Sequence, residues 1–145
     1  MLELIADEDT LLAIILRSNF KESGVHFFTP GDFSQQLGYM SYPAGKTIEA
    51  HVHNPVSRHV RFTNEVLFIR NGKLRVDFYN DEQKYLKSRI LEAGDTILLV
   101  AGGHGFEVLE AIEMIEVKQG PYCGDADKTR FVGITAAQAR CEKEE

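Results

Sequence analysis

The chain has 145 residues, 43% hydrophobic and 26% charged, enough apolar material for one compact domain with a real core and too little length to require a second. Its formal net charge of −6 and the lack of a long basic tract argue against nucleic acid or an anionic membrane as a partner. Two cysteines, Cys123 and Cys141, are too few for a disulfide framework and are expected as reduced thiols.

In chain order, residues 1–20 form an N-terminal strand and helix segment. Met1 to Ile5 is followed by Asp7-Glu8-Asp9, the opposite of the positive start of a secretion signal, so a cytoplasmic protein is expected. Leu11 to Leu16 is too short to cross a bilayer. With Asp9 or Thr10 as cap and Leu11, Ile14 and Ile15 at helical spacing, it predicts a short helix lying against the remainder, with a dimer contact as the competing use of that stripe.

Residues 21–118 are predicted as a barrel core. Turn signals recur between β-branched and aromatic runs at Thr29-Pro30-Gly31-Asp32, Tyr42-Pro43-Ala44-Gly45, Asn71-Gly72, Asn80-Asp81-Glu82, Ala93-Gly94-Asp95 and Ala101-Gly102-Gly103. That rhythm favours an all-β sandwich or barrel over alternating strands and helices. Asn71-Gly72 reads as a hairpin turn, since both residues tolerate positive φ. Residues 119–145 form a C-terminal extension, with a short helix over Thr135 to Arg140 and a solvated tail from Cys141 to Glu145.

The chemistry concentrates in His51-Val-His53, Glu65 and His104. On a strand, alternate side chains share a face, so His51 and His53 present two imidazoles together. Glu65 opens the run Glu65-Val66-Leu67-Phe68-Ile69 and shares its face with Leu67 and Ile69, which must point inward. A carboxylate among apolar neighbours is costly unless a cation accompanies it, and a divalent metal would hold it ionised. His104, after the apolar run Thr96 to Val100, is placed to supply a third imidazole. The alternative is a metal-free barrel in which these histidines are packed or hydrogen-bonded interior residues.

The spacing Gly45, His51-x-His53, Glu65, Gly72, then Gly94, Gly102 and His104, resembles the two motifs of the cupin superfamily across roughly residues 45–108. The chain departs from them in the eleven residues, Asn54 to Asn64, between His53 and Glu65, in Val100 where the family has proline, and in Val108 where asparagine is common. The resemblance implies a jelly-roll barrel, a double-stranded β-helix. It also implies one divalent transition metal ion (Fe, Mn, Ni, Co or Zn) held by His51, His53, Glu65 and His104, with positions left open for a small ligand.

Other residues are secondary candidates. Arg58 and Arg61 lie in the long loop, where they would meet an anionic substrate, or else are solvated loop charges. His59 competes with His53 as a ligand or serves as a proton shuttle. Glu107 would be a general base if a bulge at Gly105 turned it inward; plain alternation points it away, into a salt bridge with a surface lysine. Tyr122, with Lys118 near the Gln119-Gly120-Pro121 turn, closes one end of the barrel or simply packs there.

Three functions fit this reading. They are a metal-dependent isomerase or dioxygenase acting on a small polar or anionic metabolite, such as a sugar derivative or keto acid, a metal-free sugar-nucleotide isomerase or epimerase, and a non-catalytic binding module. A homodimer is expected, because a sandwich of this size leaves sheet edges for a second copy to cover.

Overall fold

The computed structural model describes residues 1–141; the last residues of the expected tail, 142–145, lie outside them. With 45% of the described residues in strands and 5% helical, the class is all-β. No helix among the described residues is long and apolar enough to cross a membrane.

By contact density the chain divides into two units, Met1–Phe20 with Phe62–Glu145, and Lys21–Arg61. The larger carries strands β1 (Leu2–Asp7), β2 (Thr10–Leu16), β5 (Glu65–Tyr79), β6 (Tyr85–Glu92), β7 (Thr96–Leu99) and β8 (Gly103–Lys118). The smaller holds the antiparallel pair β3 (Gly24–Phe27) and β4 (Gly38–Ser41). Its connecting loop is pinned by Gln36, whose amide donates to the Pro30 and Phe33 carbonyls at 2.9 Å each.

The expected N-terminal helix is absent. Leu11 to Leu16 belongs instead to strand β2, which runs antiparallel to β1 on one side and β7 on the other. Asp7 pairs with Thr10, so Glu8 and Asp9 form a tight turn, with Glu8 at φ 50°, and do not cap a helix. The physical reason is burial on both faces. Leu12, Ala13, Ile14 and Ile15 are all buried, and a continuous apolar run satisfies a two-sided strand as readily as a helical stripe.

The six strands make one antiparallel sheet, ordered β1-β2-β7-β5-β6 with β8 also on β5, and it curls into a half-barrel. The core gathers Ile5, Ile15, Leu67, Ile69, Leu74, Val76, Phe78, Leu91 and Ile97. Beside it, Glu3 holds two guanidinium groups, receiving Arg17 Nε at 2.6 Å and Arg89 Nε at 2.9 Å. Arg17 also donates to Asp95 at 2.9 Å. Asp95 in turn accepts the backbone N–H groups of Ser18 and Glu92, which ties the β6–β7 turn to the end of β2.

Asn71-Gly72 is not a hairpin. It lies inside the single long strand β5, where the ladder with β8 shifts register between Ile69 and Leu74. The apolar core takes Leu67 and Ile69 before this point and Leu74, Val76 and Phe78 after it. Side chains alternate with period two, so the change from odd to even numbers requires an odd residue inserted at the corner. Gly72 supplies the positive φ, 86°, and the Ala111 carbonyl oxygen approaches to 2.0 Å from where a Cβ would stand. The positive φ that suggests a turn here serves a strand corner.

The C-terminal extension lies over the β5–β6 end of the sheet. The Ile134 N–H donates to the Tyr79 hydroxyl at 2.9 Å, and Phe131 packs edge-on against the Tyr79 ring. The Ser88 N–H donates to the Arg140 carbonyl at 3.0 Å, so the extension occupies part of the outer edge of β6. The helix expected over Thr135 to Arg140 is a single 3-10 turn, Ala136–Gln138, following Thr135.

Candidate functional site

Strands β5 and β8 build the site between them. At one end of their ladder Glu65 pairs with Lys118, and at the other Phe78 pairs with His104. On a straight strand Glu65 and Phe78 would lie about 40 Å apart. Yet His104 Nε2 lies 3.1 Å from Glu65 Oε2. The corner at Gly72 therefore folds the ladder back until its two ends meet. His104 is opposite inward-facing Phe78 and Glu65 shares its face with Leu67, so both reach the same interior side.

Glu65 is almost wholly buried, and both of its oxygens are engaged. Lys118 Nζ lies 3.2 Å from Oε1 and is itself 3.3 Å from Glu116. The His104 hydrogen bond, opposed by burial and reinforced by the charges of His104 and Lys118, lowers the Glu65 carboxyl from 4.5 to about 2. Lys118 is raised in turn by Glu65 and then Glu116. The result is an ionised carboxylate held between an imidazole and an ammonium, with the Phe106 ring 5.2 Å from that of His104 as an apolar wall.

The separation also suits a metal. Two donors bound in adjacent positions of one ion at about 2.1 Å each lie about 3 Å apart, close to the 3.1 Å between Glu65 Oε2 and His104 Nε2. Such binding would displace the shared proton and release it. Among the described residues, no group of three or more His, Cys, Asp or Glu side chains is assembled for a metal ion.

His51 and His53 lie in the smaller unit, within residues 42–61, which carry no strand. The alternating strand expected to align them is therefore not formed. Their rings nonetheless stand edge-on, with centroids 5.2 Å apart, and both residues are exposed. The His51 Nδ1–H donates to the Glu49 carbonyl at 2.8 Å, which orients the ring. Arg58, His59 and Arg61 are exposed in the same unit.

Glu107 is turned away from His104, as alternation dictates. It is opposite Arg75 in the ladder and forms a short ion pair with that nearly buried guanidinium. Arg75 also donates to Asp77 at 2.8 Å, and Asp77 accepts the buried Ser88 hydroxyl at 2.5 Å. This network binds Glu107 into the sheet. Tyr122 is 94% exposed beside a cleft that begins at Lys118.

Lys118 is the partner of Glu65 that the sequence conceals. Its pairing with Glu65 depends on the β5–β8 register, and only the alternation of Glu116 and Lys118 at the end of an apolar strand hints at an inward charge. No family model matches the chain, and no curated protein or solved structure matches it either.

Proposed function

We propose that this protein is a cupin-type jelly roll whose Glu65–His104 pair binds one divalent transition metal, and that it acts on a small polar or anionic metabolite. The single observation that carries this reading is the convergence of a buried carboxylate and an imidazole from opposite ends of a folded ladder, at the spacing of adjacent metal donors. The order of glycines and histidines along the chain supports it independently. On that sequence argument alone, His51 and His53 are the candidates for the remaining ligands. A bound metal would supply Lewis acidity toward a carbonyl or enediol oxygen, or a position for dioxygen. The chain's own contribution is to keep Glu65 ionised, to hold His104 in one orientation, and to wall the site with Phe106.

Metal analysis of protein purified without added metals tests this. Close to one equivalent is expected, falling severalfold in His104→Ala and in the His51→Ala, His53→Ala double variant. Loss in the first but not the second would remove His51 and His53 from the ligand set.

A second reading has its own observation. Lys118 already supplies a positive charge to Glu65, so the carboxylate is stable without a metal. In that metal-free isomerase or epimerase, His104 carries a proton and Glu65 positions its ring. Protein that emerges without metal and takes none up would favour it.

A further inference from the structure

Beyond Lys118 the chain turns back over the start of β5 and encloses a cleft of about 130 Å³, whose lining includes Lys118, Tyr122, Asp125, Asp127, Lys128 and Arg130. We infer that this cleft binds the oxyanion end of a small substrate, a carboxylate or phosphate on a few-carbon frame, and presents it to the Glu65–His104 pair. The inference rests on reading that pair as the reactive centre.

Three observations carry it. First, the cleft is joined to the site by one side chain: Lys118 forms part of its wall and places Nζ 3.2 Å from Glu65. Second, the cleft is anchored, because the Thr63 hydroxyl donates in a short hydrogen bond to Asp127, fastening the 3-10 turn Gly124–Asp127 to the chain two residues before Glu65.

Third, the charge is available to an anion. Asp127 is engaged by Thr63, and Asp125 reaches Arg130 at a long 3.5 Å with both side chains largely in water. Lys128 makes no ion pair among the described residues, its backbone N–H alone being used, toward Asp125. Two cations at the outer end and Lys118 at the inner end provide N–H donors along the cleft, the chemistry that recognises carboxylate and phosphate oxygens.

Size then narrows the class. Pockets for drug-sized ligands are about 300 to 1,000 Å³, so this one cannot enclose a nucleotide. A sugar nucleotide is therefore disfavoured as its occupant, and a keto acid or a small sugar phosphate is favoured.

The test uses the full chain, treated with chelator and then freed of it, titrated separately with inorganic phosphate and with malonate while backbone amide resonances are followed by NMR. Saturable shifts confined to residues 118–130 are expected with at least one anion, and whichever binds more tightly identifies the headgroup. A Lys128→Ala, Arg130→Ala double variant, altered only at exposed positions, should weaken binding about tenfold. Glu65→Gln should tighten it severalfold by releasing the Lys118 ammonium. No saturable shift with either anion, or equal affinity in the double variant, overturns the inference. Zn²⁺ uptake by the same preparations, measured after the anion titration, separates the two claims: stoichiometric uptake without anion binding defeats only the cleft.

Discussion

Two carboxylates in the larger unit share a plan and differ in their partners. Glu3 receives two arginines, Arg17 and Arg89, and Arg89 is only 4% exposed. Glu65 receives a histidine and a lysine, whose side chains are 29% and 30% exposed. Guanidinium groups stay charged at every accessible pH and bind in a fixed fork, so Glu3 sits in a permanent clamp that joins β1, β2 and β6. An imidazole can surrender its proton, and an ammonium on a flexible stem can swing away. Fixed partners make a structural joint; removable partners at the rim make a site.

The largest effect should come from breaking the clamp. Glu3→Ala removes the carboxylate that Arg17 and Arg89 share and is expected to cost about 3 kcal/mol, whereas Glu65→Gln, whose partners reach water, should cost about 1 kcal/mol. Urea unfolding of the two variants measures this, and equal losses would erase the contrast. Acid sharpens it. Burial pushes the Glu3 carboxyl up, but the hydrogen bonds and charges of Arg17 and Arg89 together hold it below its ordinary 4.5. The clamp's contribution is thus complete above about pH 5 and fades as pH falls through the lowered folded value, so the gap between wild type and Glu3→Gln should narrow steadily on acidification.

The next effect concerns the corner that makes one region a site. Gly72→Ala forces a side chain into positive φ and against the Ala111 backbone, which cannot yield as a side-chain tip could. We expect about 2 kcal/mol of destabilisation. Metal uptake should fall along with it, because the corner brings Glu65 to His104. The Glu3 clamp, built on other strands, should survive, visible as unchanged amide exchange in β1 and β2. Full metal uptake in Gly72→Ala would show that the corner does not position the pair.

How much of this was readable from the sequence follows the same divide. The inward aspect of Glu65 was legible, because Leu67 and Ile69 share its alternation and a strand leaves them no other face. The breaks at Asn80-Asp81-Glu82 and Ala101-Gly102-Gly103 were legible too, and both separate strands in the structure. Local rules failed where one pattern serves two structures. Leu11 to Leu16 is apolar throughout, so a helical spacing can be picked out of it as easily as an alternating one, and only its neighbours β1 and β7 decide that it is a strand. Asn71-Gly72 has the chemistry of a hairpin, but its flanks both continue along β8, so its positive φ makes a corner instead. Long-range register was invisible altogether, which is why Lys118 appeared only as a residue near a turn and Arg75 did not appear as the partner of Glu107.

The most direct measurement is a Zn²⁺ titration of chelator-treated protein, following the imidazole nitrogen resonances of His104 by NMR. The account predicts that Nε2 of His104 moves to a metal-bound position and saturates at one equivalent, with a proton released, and that Glu65→Gln weakens the response at least tenfold. A His104 ring that stays hydrogen-bonded to Glu65 while excess Zn²⁺ is added would contradict it.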